Sequence, residues 1–222
     1  MEPSLAFFVI VLIVWVFSVC VHEFAHAAVA YWGGDHGVAQ RGYLTLNPLR
    51  YTDPLFSLLL PVVFLVLGGI GLPGGAVYID DRALRSPRWR SAVSLAGPAG
   101  SALLLLALAA PFALKMIPFS DKSLAACLLA FLAGLQATAV LFNLLPVPPL
   151  DGFGIIAPFL PAELHYRVLR LGHWPFFILI VVLMQSAEAA GRFWDVIFRI
   201  LDALHVPPHL FVAGFRHFRF WE

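Results

Sequence analysis

Val21-His22-Glu23-Phe24-Ala25-His26 sets two imidazoles four residues apart with a carboxylate beside the first. On a helix, positions i and i+4 share a face about one turn apart. His22 and His26 can therefore reach one metal ion, with Glu23 alongside as a base towards a water at that ion. The setting sharpens the pattern, because ionisable groups inside an apolar span usually line a functional interior. A purely structural polar patch in a helix bundle leaves the His22, Glu23 and His26 spacing unexplained.

A catalytic zinc takes three protein ligands and keeps one position open. The third candidate is Asp151, in Asn143-Leu144-Leu145-Pro146-Val147-Pro148-Pro149-Leu150-Asp151-Gly152. Its prolines end the preceding helix. The carboxylate is then carried on irregular chain at membrane depth, which is tolerated only where it is buried in protein or lines a wet cavity. From these residues alone, a third ligand and a helix-capping aspartate in a Pro-Gly turn stand about equal. His36, His165, His173, His205, His209 and His217 lie among charged or turn-like residues and read as surface or interface histidines.

These residues need elements to position them, and composition says which. The chain has 222 residues, 61% hydrophobic and 12% charged, with a mean hydropathy of +0.88. Soluble domains are nearer half apolar and a quarter charged, so an ordinary soluble or disordered chain is excluded. Long continuous apolar runs point to helices rather than a barrel. The expected architecture is an all-α polytopic membrane bundle with about 4–6 membrane segments, carried as a single domain over 1–222 with its core at about 5–160. Spans are expected at Leu5–Trp32, Ala92–Leu114, Leu124–Leu145 and Trp174–Ala190. Leu55–Leu72, broken by Pro61 and Gly68-Gly69-Ile70-Gly71, reads as a re-entrant segment, and Gly74–Asp80 as a short strand or β-hairpin-like loop. The stretch Arg192–Leu204 reads as an amphipathic helix at the interface. A net charge of +1 gives no field for nucleic acid, and Cys20 and Cys127 lie in apolar stretches as packing thiols.

Together the motifs resemble the site-2 protease family of intramembrane zinc metalloproteases, in its minimal form. The resemblance covers roughly residues 5 to 160. It rests on His22–His26, on Leu44-Thr45-Leu46-Asn47-Pro48-Leu49 with Asp53-Pro54, on Ala96-Gly97-Pro98-Ala99-Gly100, and on the NxxPxPxLDG pattern of Asn143–Gly152. It implies one catalytic zinc held by His22, His26 and Asp151, water activation by Glu23, and a substrate- or oxyanion-holding amide at Asn143. It further implies transmembrane protein substrates, a lipid environment and a prokaryotic cell membrane. Two departures stand out: Ser101 where the Gly-Pro helix usually continues to Asn, and Tyr43 and Tyr51 where relatives often carry Arg and His. No residues are expected to be left over for PDZ or CBS modules.

If His22, His26 and Asp151 meet at one ion, the first helix and the Leu124–Leu145 helix must run parallel, with Ala92–Leu114 returning between them. Arg41, Arg50, Arg82, Arg85, Arg88, Arg90, Arg167 and Arg170 then share one side, and Lys115 and Lys122 the other. The positive-inside rule makes the arginine-rich side cytoplasmic. The rival reading is a non-enzyme, an inactive client-holding relative or a metal binder or transporter; it leaves Glu23 without a purpose.

Overall fold

The computed structural model describes residues 5–51, 77–117, 119–219 and 221. Leu55–Leu72 lies outside them, as do residues 74–76 of the expected hairpin. Three long helices form the centre: α1 (Leu5–Gly33), α3 (Pro87–Ala113) and α4 (Leu124–Asn143). Each is long and apolar enough to cross a bilayer. A short α2 (Gly37–Gln40) follows α1. After α4 come α5 (Asp151–Ile156), α6 (Ala162–Leu169), α7 (Trp174–Gln185), α8 (Ala187–Ala203) and α9 (Pro208–Phe218).

Local chemistry sets the boundaries. Gly34, at φ +121°, carries the chain out of α1. Pro87 opens α3 at a position where its missing N–H is not needed. Ser123 and Ser186 cap α4 and α8, their hydroxyls accepting from the amides of Ala126 and Ala189. Ser186 also corrects the fourth expected span. Trp174–Ala190 is not one helix: α7 stops at Gln185, and its 12 residues reach about 18 Å, short of a roughly 30 Å hydrocarbon core. The pairs α6–α7 and α8–α9 are bent by 65° and 116°. Among the described residues this leaves three candidate spans, or five if each bent pair counts as one.

The helix directions follow from contacts. His22 meets Ser101 and His26 meets Val93, so α3 runs antiparallel to α1. Phe7 and Phe131 pack at one end, while His22 and Asp151, just beyond α4, meet at the other. Thus α1 and α4 run parallel, as the ligand geometry demanded.

α4 is the central post. It carries Ala130, Ala133 and Ala137, all buried, which let neighbouring backbones approach. The tail departs from expectation here. α8 is amphipathic, but Phe193, Ile197 and Leu201 are buried within the protein core. α9 turns back to place Phe211, Phe215 and Phe218 around Phe131. Phe177, Ile178 and Val181 of α7, like Ile10, Ile13 and Phe17 of α1, remain exposed, as side chains facing lipid would.

No strand occurs among the described residues, so the β-hairpin-like loop is not borne out there. Residues 77–80 still alternate. Val77 and Ile79 line a cavity, while the Tyr78 ring lies against Arg41. The alternation is strand-like, but no neighbouring strand among the described residues gives it a ladder.

Phe131 is fully buried and touches Phe7, Phe211, Phe215 and Phe218. Phe131→Ala should lower unfolding free energy in detergent by about 3 kcal/mol. Exposed Phe177→Ala should change it by less than about 0.5 kcal/mol. Equal losses in the two variants would contradict this placement of the core.

Candidate metal centre and active site

His22, Glu23 and His26 are buried two-thirds of the way along α1. Asp151 arrives from the proline-rich turn after α4. Immediately after it, Gly152 lets the chain fold back on the end of α4, since a Cβ there would sit 2.3 Å from the Leu144 carbonyl oxygen. The structure thus brings together all three expected ligands. His22 Nε2 and His26 Nε2 stand 3.0 Å apart, and Asp151 places Oδ2 3.1 Å from the first and Oδ1 3.3 Å from the second. It is the one such cluster of histidine, cysteine and carboxylate groups among the described residues.

The chemistry of this triangle calls for a cation. His26 Nδ1 lies 2.6 Å from the Val93 carbonyl, which can only accept, so Nδ1 carries a proton and Nε2 is the ring atom left to bind a metal. His22 Nδ1 lies 3.0 Å from the Ser101 hydroxyl, which fixes the second ring. Two imidazole nitrogens and a carboxylate therefore converge. Around a tetrahedral zinc with bonds of about 2.1 Å, ligand atoms stand about 3.4 Å apart. The observed edges are close to that, so the residues fit zinc.

Gly97 makes the approach possible. Its backbone on α3 passes so near the rings that a Cβ would lie 2.2 Å from His26 Nε2 and 2.5 Å from His22 Nε2. A methyl group at residue 97 would overlap both imidazole rings and force them apart.

Glu23 is buried beside the triangle and accepts one hydrogen bond, from the Val77 amide to Oε2 at 3.1 Å. A cavity of about 450 Å³ opens onto His22, Glu23, His26 and Asp151. Asn143, buried at the last turn of α4, lines it too. So does His173, which the sequence set aside; with Phe176 it brings the start of α7 into the cavity wall. The remaining histidines lie outside the cavity lining, and His217 packs against Phe7. Ser101, a departure at the sequence level, proves to be the partner of His22. Tyr51 is buried, with its hydroxyl 3.0 Å from the Cys20 carbonyl and 2.7 Å from that of Thr45, bracing α1 just before the site.

Comparison with known proteins finds relatives over most of the chain. The chain is 43% identical over 220 residues to Rip2 of Mycolicibacterium smegmatis, covering 97% of this chain and 82% of that protein. Rip2 of Mycobacterium tuberculosis H37Rv is 42% identical over 215 residues, with the same coverage. YwhC of Bacillus subtilis is 30% identical over 216 residues, covering 90% and 93%. All three bear the name "putative zinc metalloprotease". The chain matches no family profile and no solved structure.

Purified wild-type protein should hold about one zinc per chain, and His22→Ala or Asp151→Ala little. Gly97→Ala should also lose it with every ligand intact; metal analysis showing full retention would refute the close approach of α3. Ser101→Ala should keep the site but weaken zinc affinity about tenfold, read by competition with a chelating dye.

Proposed function

The chain belongs to the site-2 protease family of zinc metalloproteases, and on that premise we propose that it is an intramembrane endopeptidase. Its reaction is hydrolysis of peptide bonds in or near transmembrane helices of other membrane proteins, carried out by a single domain. The observation that carries this is the buried convergence of His22, His26 and Asp151 with Glu23 alongside, inside apolar helices and on an open cavity. A site for a soluble substrate would not need three ligands sunk among helices apolar enough to cross a bilayer.

Zinc, when bound, supplies a Lewis acid that polarises the scissile carbonyl and lowers the pKa of water towards about 7. His22, His26 and Asp151 hold it, with their orientation set by Ser101 and the Val93 carbonyl. Glu23 has Oε2 engaged by Val77, leaving Oε1 to take the proton of the attacking water and pass it to the leaving amine. The Asn143 amide lines the cavity where a substrate carbonyl would lie and donates to the developing oxyanion. A helical substrate keeps its carbonyls in i to i−4 bonds, so it must unwind before entering.

The protein is a multi-pass bacterial membrane protein, and the cavity opens towards the cytoplasm. Arg41, Arg82, Arg85 and Arg90 cluster at the metal-proximal ends of α1 and α3, which supports this side by the positive-inside rule. α9 adds Arg216 and Arg219 near Phe7 and Phe8 at the far end, beside Lys115 and Lys122. The asymmetry narrows without reversing.

Glu23→Gln decides between protease and metal binder. It should keep zinc at the wild-type level and lose turnover by at least about 10³-fold on a transmembrane substrate in proteoliposomes. A Glu23→Gln protein that cleaves like wild type would end the protease assignment.

A further inference from the structure

Asp35 is buried to 2% exposure just beyond α1, yet no ligand or catalytic group touches it. Its carboxylate accepts from three donors: the Gly37 amide at 2.9 Å, Arg41 Nη2 at 3.0 Å and the Asp80 amide at 2.8 Å. Arg41 in turn donates through Nη2 to the Tyr78 carbonyl at 3.1 Å, and its guanidinium lies 5.3 Å from the Tyr78 ring centre and 5.6 Å from that of Tyr43. The pair thus grips the 77–80 segment at two backbone groups, the carbonyl of Tyr78 and the amide of Asp80. One residue before the first of these, the Val77 amide supplies the hydrogen bond that Glu23 accepts.

Capping α2 needs only the Gly37 amide. The two additional backbone contacts, made across 37 and 45 residues of sequence, have a different geometric result: they fix a segment that pairs with no strand among the described residues against the catalytic carboxylate. We propose that Asp35 and Arg41 are positioning residues for Glu23, acting through the 77–80 segment. They do not touch substrate. They set the orientation of the carboxylate by holding the amide that binds its Oε2, and with it the Val77 and Ile79 wall of the cavity. This rests on the protease reading for its effect on rate, while the tether itself can be tested without it.

The experiment uses the full chain in proteoliposomes, with zinc content, kcat and KM measured separately. A nitroxide on Asp81→Cys, next to the gripped segment and 62% exposed in its side chain, reports mobility; Cys20 and Cys127 are buried. Asp35→Asn should keep zinc near wild type, leave KM within about twofold, lower kcat at least about tenfold, and sharpen the nitroxide spectrum. Arg41→Lys keeps the charge but loses the planar fork, and should show the same pattern at about threefold in kcat; it serves if Asp35→Asn fails to fold. Val77→Pro deletes the amide donor. Combined with Asp35→Asn, it should cost no more than the larger single effect, because both act through one bond.

Wild-type kcat in both Asp35→Asn and Arg41→Lys, multiplying effects in the double variant, or zinc lost in proportion to rate would each overturn the proposal. If wild type cleaves no transmembrane substrate, the protease reading fails instead. The nitroxide then decides the tether alone: an unchanged spectrum in Asp35→Asn and Arg41→Lys overturns it, and a sharpened one upholds it.

Discussion

Three electron-pair donors pointed at one another inside a helix bundle are an unstable arrangement unless positive charge lies between them. The Nε2 atoms of His22 and His26 and the carboxylate of Asp151 stand within 3.3 Å of one another. At that separation and in low dielectric, their repulsion and lost hydration would be costly. Ring orientations set from behind by Ser101 and the Val93 carbonyl prevent the donors from turning away. Much of the fold can be understood as the means of holding this triangle. α3 must run antiparallel to α1 to present both Ser101 and Val93, and α4 must run parallel so that the chain leaving it delivers Asp151.

Packing meets that demand by different means at the two ends of the bundle. At the far end, aromatic rings from α1, α4 and α9 interlock around Phe131, and side-chain volume sets the helix spacing. At the metal end, volume is removed. The backbone of α3 lies against the imidazoles, and the chain after Asp151 folds tightly onto the end of α4. Between them, α4 carries small residues on its buried faces. In lipid, where apolar side chains gain little by leaving their solvent, such close contact is a main source of helix association.

What could be read from the sequence divides along physical lines. The His22, Glu23 and His26 set was legible because helical periodicity alone puts these side chains on adjoining faces. Asp151 was legible only with its prolines and Asn143 around it, since nothing local fixes where a carboxylate on irregular chain will go. The groups that orient the site were hidden. Ser101, the Val93 carbonyl and the Val77 amide reach their partners across 79, 67 and 54 residues, and two of the three are backbone atoms with no side-chain signature. The break at Ser186 escaped a hydropathy reading because a capping serine barely changes the average. The Gly74–Asp80 reading caught a true alternation at Val77–Asp80, but a strand needs a neighbour, and alternation cannot say whether one exists.

The contact between Gly97 and the two imidazoles bears on how sequences of this kind should be read. A chain can keep both histidines, the glutamate and the aspartate and still be a pseudoenzyme, because a single methyl group at this position would collide with both imidazoles and displace the ligands. The usual signs of a dead metalloprotease, a missing ligand or a missing base, would then be absent. The working signature therefore includes a side chain that must not exist, and any census of active relatives that counts only the groups that bind or react will overcount.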